Sequence, residues 1–351
     1  MNNPRSTIYV LGWKKGKVKW LDQTKLPLKE EYVTSNSVER LARAIERLEV
    51  RGAPVIGVAA GYGVALAACV APNDSKKVME SVRRWSERLR KTRPTAVNLF
   101  YGIDRVGKTV EKAYRKGKTA KELKEIALAE AKAIHKETID ATLLIGKYGN
   151  KLLKSGDAVL THCNAGTLAC EGIGTATAPI RAAVASGKKI VVYADQTAPL
   201  YQGARLTAWE LEKDGIESYV LTDGMASWVM ENKKIKAVIT GADRITLSGD
   251  VFNKIGTSTV AIVAKHYRIP FYVAAPISTI DPKTKAENVK IELRSEEEIR
   301  KVMKKFPITT PTTRAVNPAF DRTRPEFVTA IITERGIARP PYKKSLSKLF
   351  H

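Results

Sequence analysis

Apolar and polar residues alternate from Ser6 to Leu21 around Lys14-Lys15-Gly16, the pattern of a β-hairpin. The period then lengthens. Asn36-Ser37-Val38-Glu39 is a capping-box pattern opening an amphipathic helix, with Val38, Leu41, Ile45 and Leu48 on its apolar face. Arg51-Gly52-Ala53-Pro54 interrupts that helix, and Pro54 suits the first turn of a second one. The second helix, about Pro54–Val70, is apolar on all sides and predicts a buried core element. Two more helices are expected at Ser75–Lys91 and Ala96–Arg115. Gly117 ends the latter, and Thr119-Ala120-Lys121-Glu122 caps a long helix running to about Leu153. Residues 1–153 therefore predict a small, mostly helical N-terminal domain with a short β-hairpin entry.

From Asp157 the rhythm changes. Apolar, β-rich runs recur at Ala158–His162, Lys189–Ala194, Glu217–Thr222, Ala237–Thr240 and Phe271–Ala275, most of them separated by helical stretches. This alternation marks βαβ units and a parallel sheet, so residues 154–351 predict an α/β domain. Sites in such sheets lie at the carboxyl ends of strands. No G-x-G-x-x-G follows the first strand, and a dinucleotide is not indicated. Pro307–Pro325 is expected to be extended, and the basic tail after Arg339 to fray.

Composition narrows the function classes. The 351 residues are 44% hydrophobic and 27% charged, as in a soluble globular protein, but the formal net charge is +24. Lys and Arg are interleaved with Glu along the whole chain, and no motif interleaves basic and aromatic residues. An anionic small molecule therefore fits better than nucleic acid. Gly52–Asn73 is uncharged, yet it is rich in Ala and Gly, holds Tyr62 and lies between charged helices, so no membrane span is expected. Cys69, Cys163 and Cys170 show no zinc or disulfide spacing, and the amino terminus lacks a signal-peptide core, which points to a reducing cytoplasm. The chain shows no His/carboxylate cluster in sequence, and no metal or other cofactor is expected. Only three Gln among abundant Lys, Arg and Glu lean toward a heat-stable protein.

The stretch Asp157–Gly174, DAVLTHCNAGTLACEGIG, reads as a buried strand running into a turn that presents His162, Cys163 and Asn164. A thiol between a strand and a helix start feels the positive end of a helix dipole, which lowers its pKa. A packed core cysteine fits the same pattern. His162 beside it reads as structural, since neighbours in a strand face opposite ways. Asp243, after the Ala237–Thr240 strand, can hold a raised pKa and move a proton, or simply cap a helix. Asn253-Lys254-Ile255-Gly256-Thr257, Arg51-Gly52-Ala53 and Arg93-Pro94-Thr95 each place a cation at a helix start, an arrangement that suits a phosphate. Together they suggest a phosphorylated small molecule handled by proton transfer.

These residues carry a family resemblance. LDQTKLP (Leu21–Pro27), RGAPVIG (Arg51–Gly57), RPTAVNL (Arg93–Leu99), LTHCNAGTLA (Leu160–Ala169), QGARLTAWEL (Gln202–Leu211), GADRI…GDVFNKIGT (Gly241–Thr257), YVAAPISTID (Tyr272–Asp281) and NPAFD (Asn317–Asp321) resemble the methylthioribose-1-phosphate isomerases. That family shares a superfamily with ribose-1,5-bisphosphate isomerase and the regulatory subunits of translation initiation factor 2B. The resemblance implies a helical N-terminal domain, a Rossmann-like catalytic domain and a cytoplasmic homodimer. It implies conversion of 5-methylthioribose 1-phosphate to 5-methylthioribulose 1-phosphate in methionine salvage, with no cofactor. Asp243 would be the acid/base and Cys163 its partner. Arg51, Gly52, Ala53, Arg93, Gln202, Asn253 and Lys254 match the family's substrate-binding positions.

The chain departs from the family where Glu-Thr-Arg-Pro is common: Gln196-Thr197-Ala198-Pro199 lacks both the acid and the arginine. A missing arginine removes a bidentate partner for an oxygen or phosphate. It argues against ribose 1,5-bisphosphate, whose second phosphate needs more positive charge. The alternatives are the same reaction on ribose 1-phosphate or ribose 1,5-bisphosphate, or a non-catalytic subunit that binds a sugar phosphate or nucleotide. A binding-only protein has no physical need for both Cys163 and Asp243.

Overall fold

A computed structural model describes residues 4–94, 96–303 and 305–350. The chain divides into two compact units. Among the described residues, those within 8–141 and 167–172 form an N-terminal unit, and those within 4–7, 142–166 and 173–350 form a C-terminal unit.

The N-terminal unit opens with an antiparallel sheet of β1 (Leu11–Lys14), β2 (Lys17–Leu21) and β3 (Tyr32–Ser35). Lys15 and Gly16 take φ of 49° and 76°, the two left-handed residues that a tight hairpin turn requires. Helix α1 (Val38–Glu46) starts at the expected cap, where Ser37 Oγ accepts the Arg40 N–H at 3.2 Å. Leu48, placed on its face by the sequence, falls beyond its end and takes φ of 63°. Helix α2 (Ala53–Val70) is buried from Pro54 to Ala68. It is long and apolar enough to cross a membrane, but α1, α3 (Ser75–Arg90) and α4 (Val97–Arg115) pack around it inside the protein. Helix α5 (Ala120–Gly149) begins at a reciprocal cap: Thr119 N–H donates to Glu122 Oε2 at 2.8 Å, and Glu122 N–H to Thr119 Oγ1 at 3.4 Å. One helical turn, α6 (Thr167–Cys170), also belongs to this unit and packs on α2.

The C-terminal unit is built on a seven-stranded sheet. Its strands are β4 (Asp157–Thr161), β5 (Ile190–Asp195), β6 (Ser218–Leu221), β7 (Ile235–Thr240), β10 (Phe271–Ala274), β15 (Ala330–Thr333) and β16 (Gly336–Ala338), in the spatial order β6-β5-β4-β7-β10-β15-β16. All neighbours are parallel except the β15–β16 pair. The six parallel strands follow the doubly wound order 3-2-1-4-5-6, and the winding reverses between β4 and β7. Alternating side chains load the two faces. Leu160, Val238, Val273 and Ile331 meet α9 (Ala226–Asn232), α10 (Thr257–His266) and α12 (Tyr342–Ser347). Val159, Val192, Ile239 and Ile332 meet α7 (Ala178–Ala185), α8 (Ala208–Lys213) and the end of α5. A smaller sheet, β11 (Ile280–Asp281), β8 (Arg244–Thr246), β9 (Val251–Lys254) and β14 (Phe320–Thr323), stands beyond β7 in the chain. A short α11 (Glu297–Arg300) precedes the two-residue pair β12 (Lys301–Val302) and β13 (Phe306–Pro307).

Within Pro307–Pro325, Phe320–Thr323 is extended as a strand that pairs antiparallel with β9. One expectation needs correction. The tail does not fray at Arg339: Tyr342 and Leu346 are fully buried, and the Tyr342 hydroxyl donates to the Val328 carbonyl at 2.7 Å. Burying Leu346 contributes about 1.5–3 kcal/mol toward ordering the segment, and the buried Tyr342 adds to it.

The crossing of α2 and α4 yields a matched prediction. A Cβ on Gly102 would collide with the Gly57 carbonyl, whereas one on Gly107 of the same helix meets nothing within 4 Å. Gly102→Ala should lower stability by about 1–3 kcal/mol, because backbone cannot yield as a side chain does. Gly107→Ala should raise it by up to about 1 kcal/mol from helix propensity. Paired thermal melts check both; equal shifts would refute the close crossing.

Candidate active site

The doubly wound order places Cys163 just past the end of β4 and Asp243 just past the end of β7, on adjacent central strands at the point where the winding reverses. The two turns touch through a glycine: a Cβ on Gly241 would lie 2.5 Å from Ala165 Cβ. Asp243 is half-buried, and its N–H donates to the Phe252 carbonyl at 2.9 Å, which starts the β8–β9 hairpin.

Cys163 is buried and takes φ of 66°, a conformation that costs a non-glycine residue about 1–2 kcal/mol. The helix expected right after it is only the single turn α6, so polar anchors rather than a helix dipole govern this turn. Cys163 N–H donates to Thr197 Oγ1 at 2.8 Å, and the Thr207 hydroxyl donates to the Cys163 carbonyl at 2.7 Å. Thr197 is itself left-handed, at φ of 62°; its N–H and that of Ala198 donate to the two carboxylate oxygens of Asp223, each at 2.7 Å. Asn164 donates to Thr207 and Glu210, and Arg181 clamps Glu210 at 2.9 Å from behind. Thr207 and Glu210 reach this position because QGARLTAWEL contains a π-helical turn, Gly203–Thr207, leading into α8. Such turns recur at functional sites.

The absence of a His/carboxylate cluster expected from sequence does not hold in three dimensions. His162, Asp195 and Asp223 offer ligand atoms within 4.8 Å of one another. The fold brings together residues 33 and 28 apart in the chain, which no local spacing reveals. His162 Nδ1 lies 2.9 Å from Asp195 Oδ2, and Nε2 lies 2.9 Å from the Ile255 carbonyl. A carbonyl only accepts, so Nε2 carries hydrogen, and Nδ1 shares a proton with Asp195. With Asp223 also engaged by two N–H groups, these atoms form a hydrogen-bonded network rather than a cation cradle. Burial opposes charge on His162, but the bond and charge of Asp195 outweigh it and raise its pKa. Burial likewise raises Asp195, reinforced by Asp223. Both directions mean that the pair retains its shared proton.

Among the other expected site residues, Asn253 and Lys254 end β9. Asn253 Nδ2 donates to Thr257 Oγ1 at 3.0 Å, and buried Lys254 reaches the Ala319 carbonyl at 2.9 Å. The start of α10 is already capped by Asp321 of the NPAFD motif, which accepts the Gly256 N–H at 2.8 Å and the Ser258 N–H at 3.1 Å. A phosphate here would thus meet side chains more than free helix N–H groups. Gln202 opens the π-helical turn, and its buried Oε1 has no protein partner; neither do Asp195 Oδ1 and Thr240 Oγ1. Buried acceptors without donors are costly, and these sit at or beside the carboxyl ends of β5 and β7.

Arg51, Gly52, Ala53 and Arg93 belong to the N-terminal unit. Gly52, at φ of 95°, packs so tightly on Ala169 that no side chain fits, and α2 starts beside it. Arg51 and Arg93 are half-buried; Thr95, of the third expected corner, lies outside the described residues. The same unit buries Glu171, whose pKa burial pushes upward, 3.5 Å from His135, which bonds the Tyr62 hydroxyl at 3.0 Å. Sequence reasoning missed Asp195, Thr197, Thr207, Asp223 and Asp321. The signal for Asp195 and Asp223 was present: each ends or follows an apolar strand of the parallel sheet. A separate cleft of about 870 Å³, floored by Phe327 and Tyr342 and rimmed by Lys283 and Lys343, holds none of the expected site residues.

Residues 49–340 match the sequence model of the initiation factor 2 subunit family. The chain is 49% identical over 332 residues to a methylthioribose-1-phosphate isomerase from Thermosipho melanesiensis, covering 94% of each chain. Among solved structures, 5-methylthioribose 1-phosphate isomerase from Pyrococcus horikoshii matches with a TM-score of 0.91 and 39% identity, over 99% of this chain and 96% of that one. A structure named translation initiation factor eIF-2B, subunit delta, from A. fulgidus matches with a TM-score of 0.88 and 46% identity, over 98% and 99%.

The shared proton of His162 and Asp195 gives stability a pH signature. An unfolded histidine titrates near about pH 6.5. With the folded value raised, the contribution is complete below that pH and is lost as pH rises through the folded value. The unfolding free energy, from denaturant titrations at a series of pH values, should therefore fall more steeply above about pH 6.5 in the native protein than in the double variant His162→Gln/Asp195→Asn, by up to about 1.4 kcal/mol per pH unit. Parallel slopes would show that the pair does not hold the proton.

Proposed function

The chain belongs to the initiation factor 2 subunit family, and within it we propose that it is an aldose–ketose isomerase converting 5-methylthioribose 1-phosphate to 5-methylthioribulose 1-phosphate. The observation that carries this reading is the placement of a strained, buried thiol and a half-buried carboxylate on the turns after adjacent strands β4 and β7. The near full-length likeness to relatives named for this reaction supports it.

The chemistry explains why two proton-handling groups are wanted. Phosphate on the anomeric oxygen prevents spontaneous ring opening. The C1–O4 bond must break with its electron pair going to O4, which gains a proton. A hydrogen then passes from C2 to C1, and the C2 hydroxyl loses its proton as the ketone forms. One proton is delivered and one removed, so atoms and charge balance. In this reading Asp243 is the acid/base and Cys163 its partner. Gln202, Asn253 and Lys254, with Arg51, Gly52, Ala53 and Arg93, bind the sugar phosphate. The unpartnered buried oxygens of Gln202, Asp195 and Thr240 suit the hydroxyl donors of a sugar. The cytoplasmic homodimer is part of the same proposal and rests on the family resemblance.

Purified protein given methylthioribose 1-phosphate should form the ketose, followed by NMR. Cys163→Ser and Asp243→Asn should each lower kcat by about 10²-fold or more with little change in KM, as loss of a positioned proton-transfer group does. Full activity in either variant would remove that residue from the chemistry. The methylthio sugar should beat ribose 1-phosphate in kcat/KM by about 10–200-fold, the range one small apolar group supplies. Folded protein that turns over neither sugar would favour the regulatory-subunit reading that the name of the A. fulgidus structure raises.

A further inference from the structure

His162 takes no part in the chemistry assigned above, yet it is only 1% exposed and is tied to two separate loops. Through Nδ1 it grips Asp195, at the end of β5, and through Nε2 it grips the Ile255 carbonyl, between β9 and α10. The ring is also clasped by Gly256, at φ of 98°, where a Cβ would lie 2.7 Å from its Cε1. The charged groups facing it are Asp195 from β5, Asp223 from the turn after β6 and Asp321 from β14. Asp223 and Asp321 are fixed as acceptors by backbone N–H groups. Three carboxylates around one imidazole favour its cationic form, and both ring nitrogens meet acceptors, so both serve as donors.

We propose that His162 is a positioning residue, a buried imidazolium that holds the Cys163 turn through Asp195 and the Asn253–Lys254 corner through the Ile255 carbonyl. Cys163 N–H rests on Thr197, whose hydroxyl donates to the Asp195 carbonyl at 3.0 Å, so fixing Asp195 fixes the thiol's turn. Ile255 directly follows Lys254, so fixing its carbonyl fixes the ammonium. The kinetic part of this inference rests on the isomerase reading, with Cys163 in the chemistry and Lys254 on the phosphate. The ring's protonation does not.

Two variants separate the arms. In His162→Gln the amide takes the place of Nε2 and keeps the Ile255 bond while losing Asp195; in His162→Asn it takes the place of Nδ1 and does the reverse. His162→Gln should lower kcat by about 10²-fold with KM nearly unchanged, the effect expected from misplacing a reacting group. His162→Asn should mainly raise KM, by about 10-fold, as weakened ground-state binding does. Identical effects of the two variants, or none, would overturn the positioning role. Nitrogen-15 NMR of the native protein needs neither activity nor a folded variant. Both His162 nitrogens should carry hydrogen and show imidazolium shifts from about pH 6 to 8, where an ordinary histidine titrates. A ring with one bare nitrogen would refute the proposal. Native protein without turnover but with the imidazolium signature would sink the isomerase reading alone.

Discussion

Cys163 and Thr197 both carry side chains in the left-handed backbone region, and they are bonded to each other at the ends of neighbouring strands. The hydrogen bonds around them serve to keep them there. The strain is about 1–2 kcal/mol for each residue. Against it stand four hydrogen bonds: Cys163 N–H to Thr197, Thr207 to the Cys163 carbonyl, Thr197 N–H to Asp223, and the Thr197 hydroxyl to the Asp195 carbonyl. At a net contribution of about 0.5–1.5 kcal/mol each, these match the strain, so the turn persists because the fold over-determines it. A packed core cysteine needs no such arrangement.

The electrostatics of this region run opposite to the composition. The chain carries a formal charge of +24, yet the loops at the carboxyl edge of the sheet are organised by Asp195, Glu210, Asp223 and Asp321. Each accepts N–H groups or pairs with a buried cation, His162 or Arg181. The surplus of Lys and Arg therefore says little about how the site is built. An anionic substrate would be drawn by the general field and then meet loops whose own charges are already compensated.

How much of this was legible in the sequence depended on range. Local signals translated directly: the Ser37 and Thr119 caps, the Lys15-Gly16 turn, the all-round apolar helix at Ala53–Val70 and the strand–helix alternation after Asp157 are decided within a few residues. The tail after Arg339 misled because its composition is polar, while the two residues that order it, Tyr342 and Leu346, find their partners outside the tail, in Val328 and the core of the sheet domain. Cys163 and Asp243 stand out in the sequence as candidates because each closely follows an apolar strand. Asp195 and Asp223 carry the same positional signal, but their partners, like those of Thr207 and Asp321, are set only when β5, β6 and β14 are laid beside their neighbours and the π-helical turn is formed.

The Gln196–Pro199 departure tests which parts of the loop are structural. The backbone of this segment is held through Thr197 and Ala198, whose N–H groups bind Asp223, and through the Thr197 hydroxyl. Backbone N–H groups are supplied by any residue but proline, so an arginine at position 198 is not needed to shape the loop. What its replacement by alanine removes is a side-chain cation, and with it a bidentate partner for an anion. The loop's form and the Cys163 anchor can therefore be kept while its charge toward a ligand is lost. Under the proposed isomerase reading, that separation suits a substrate with a single phosphate better than one with two.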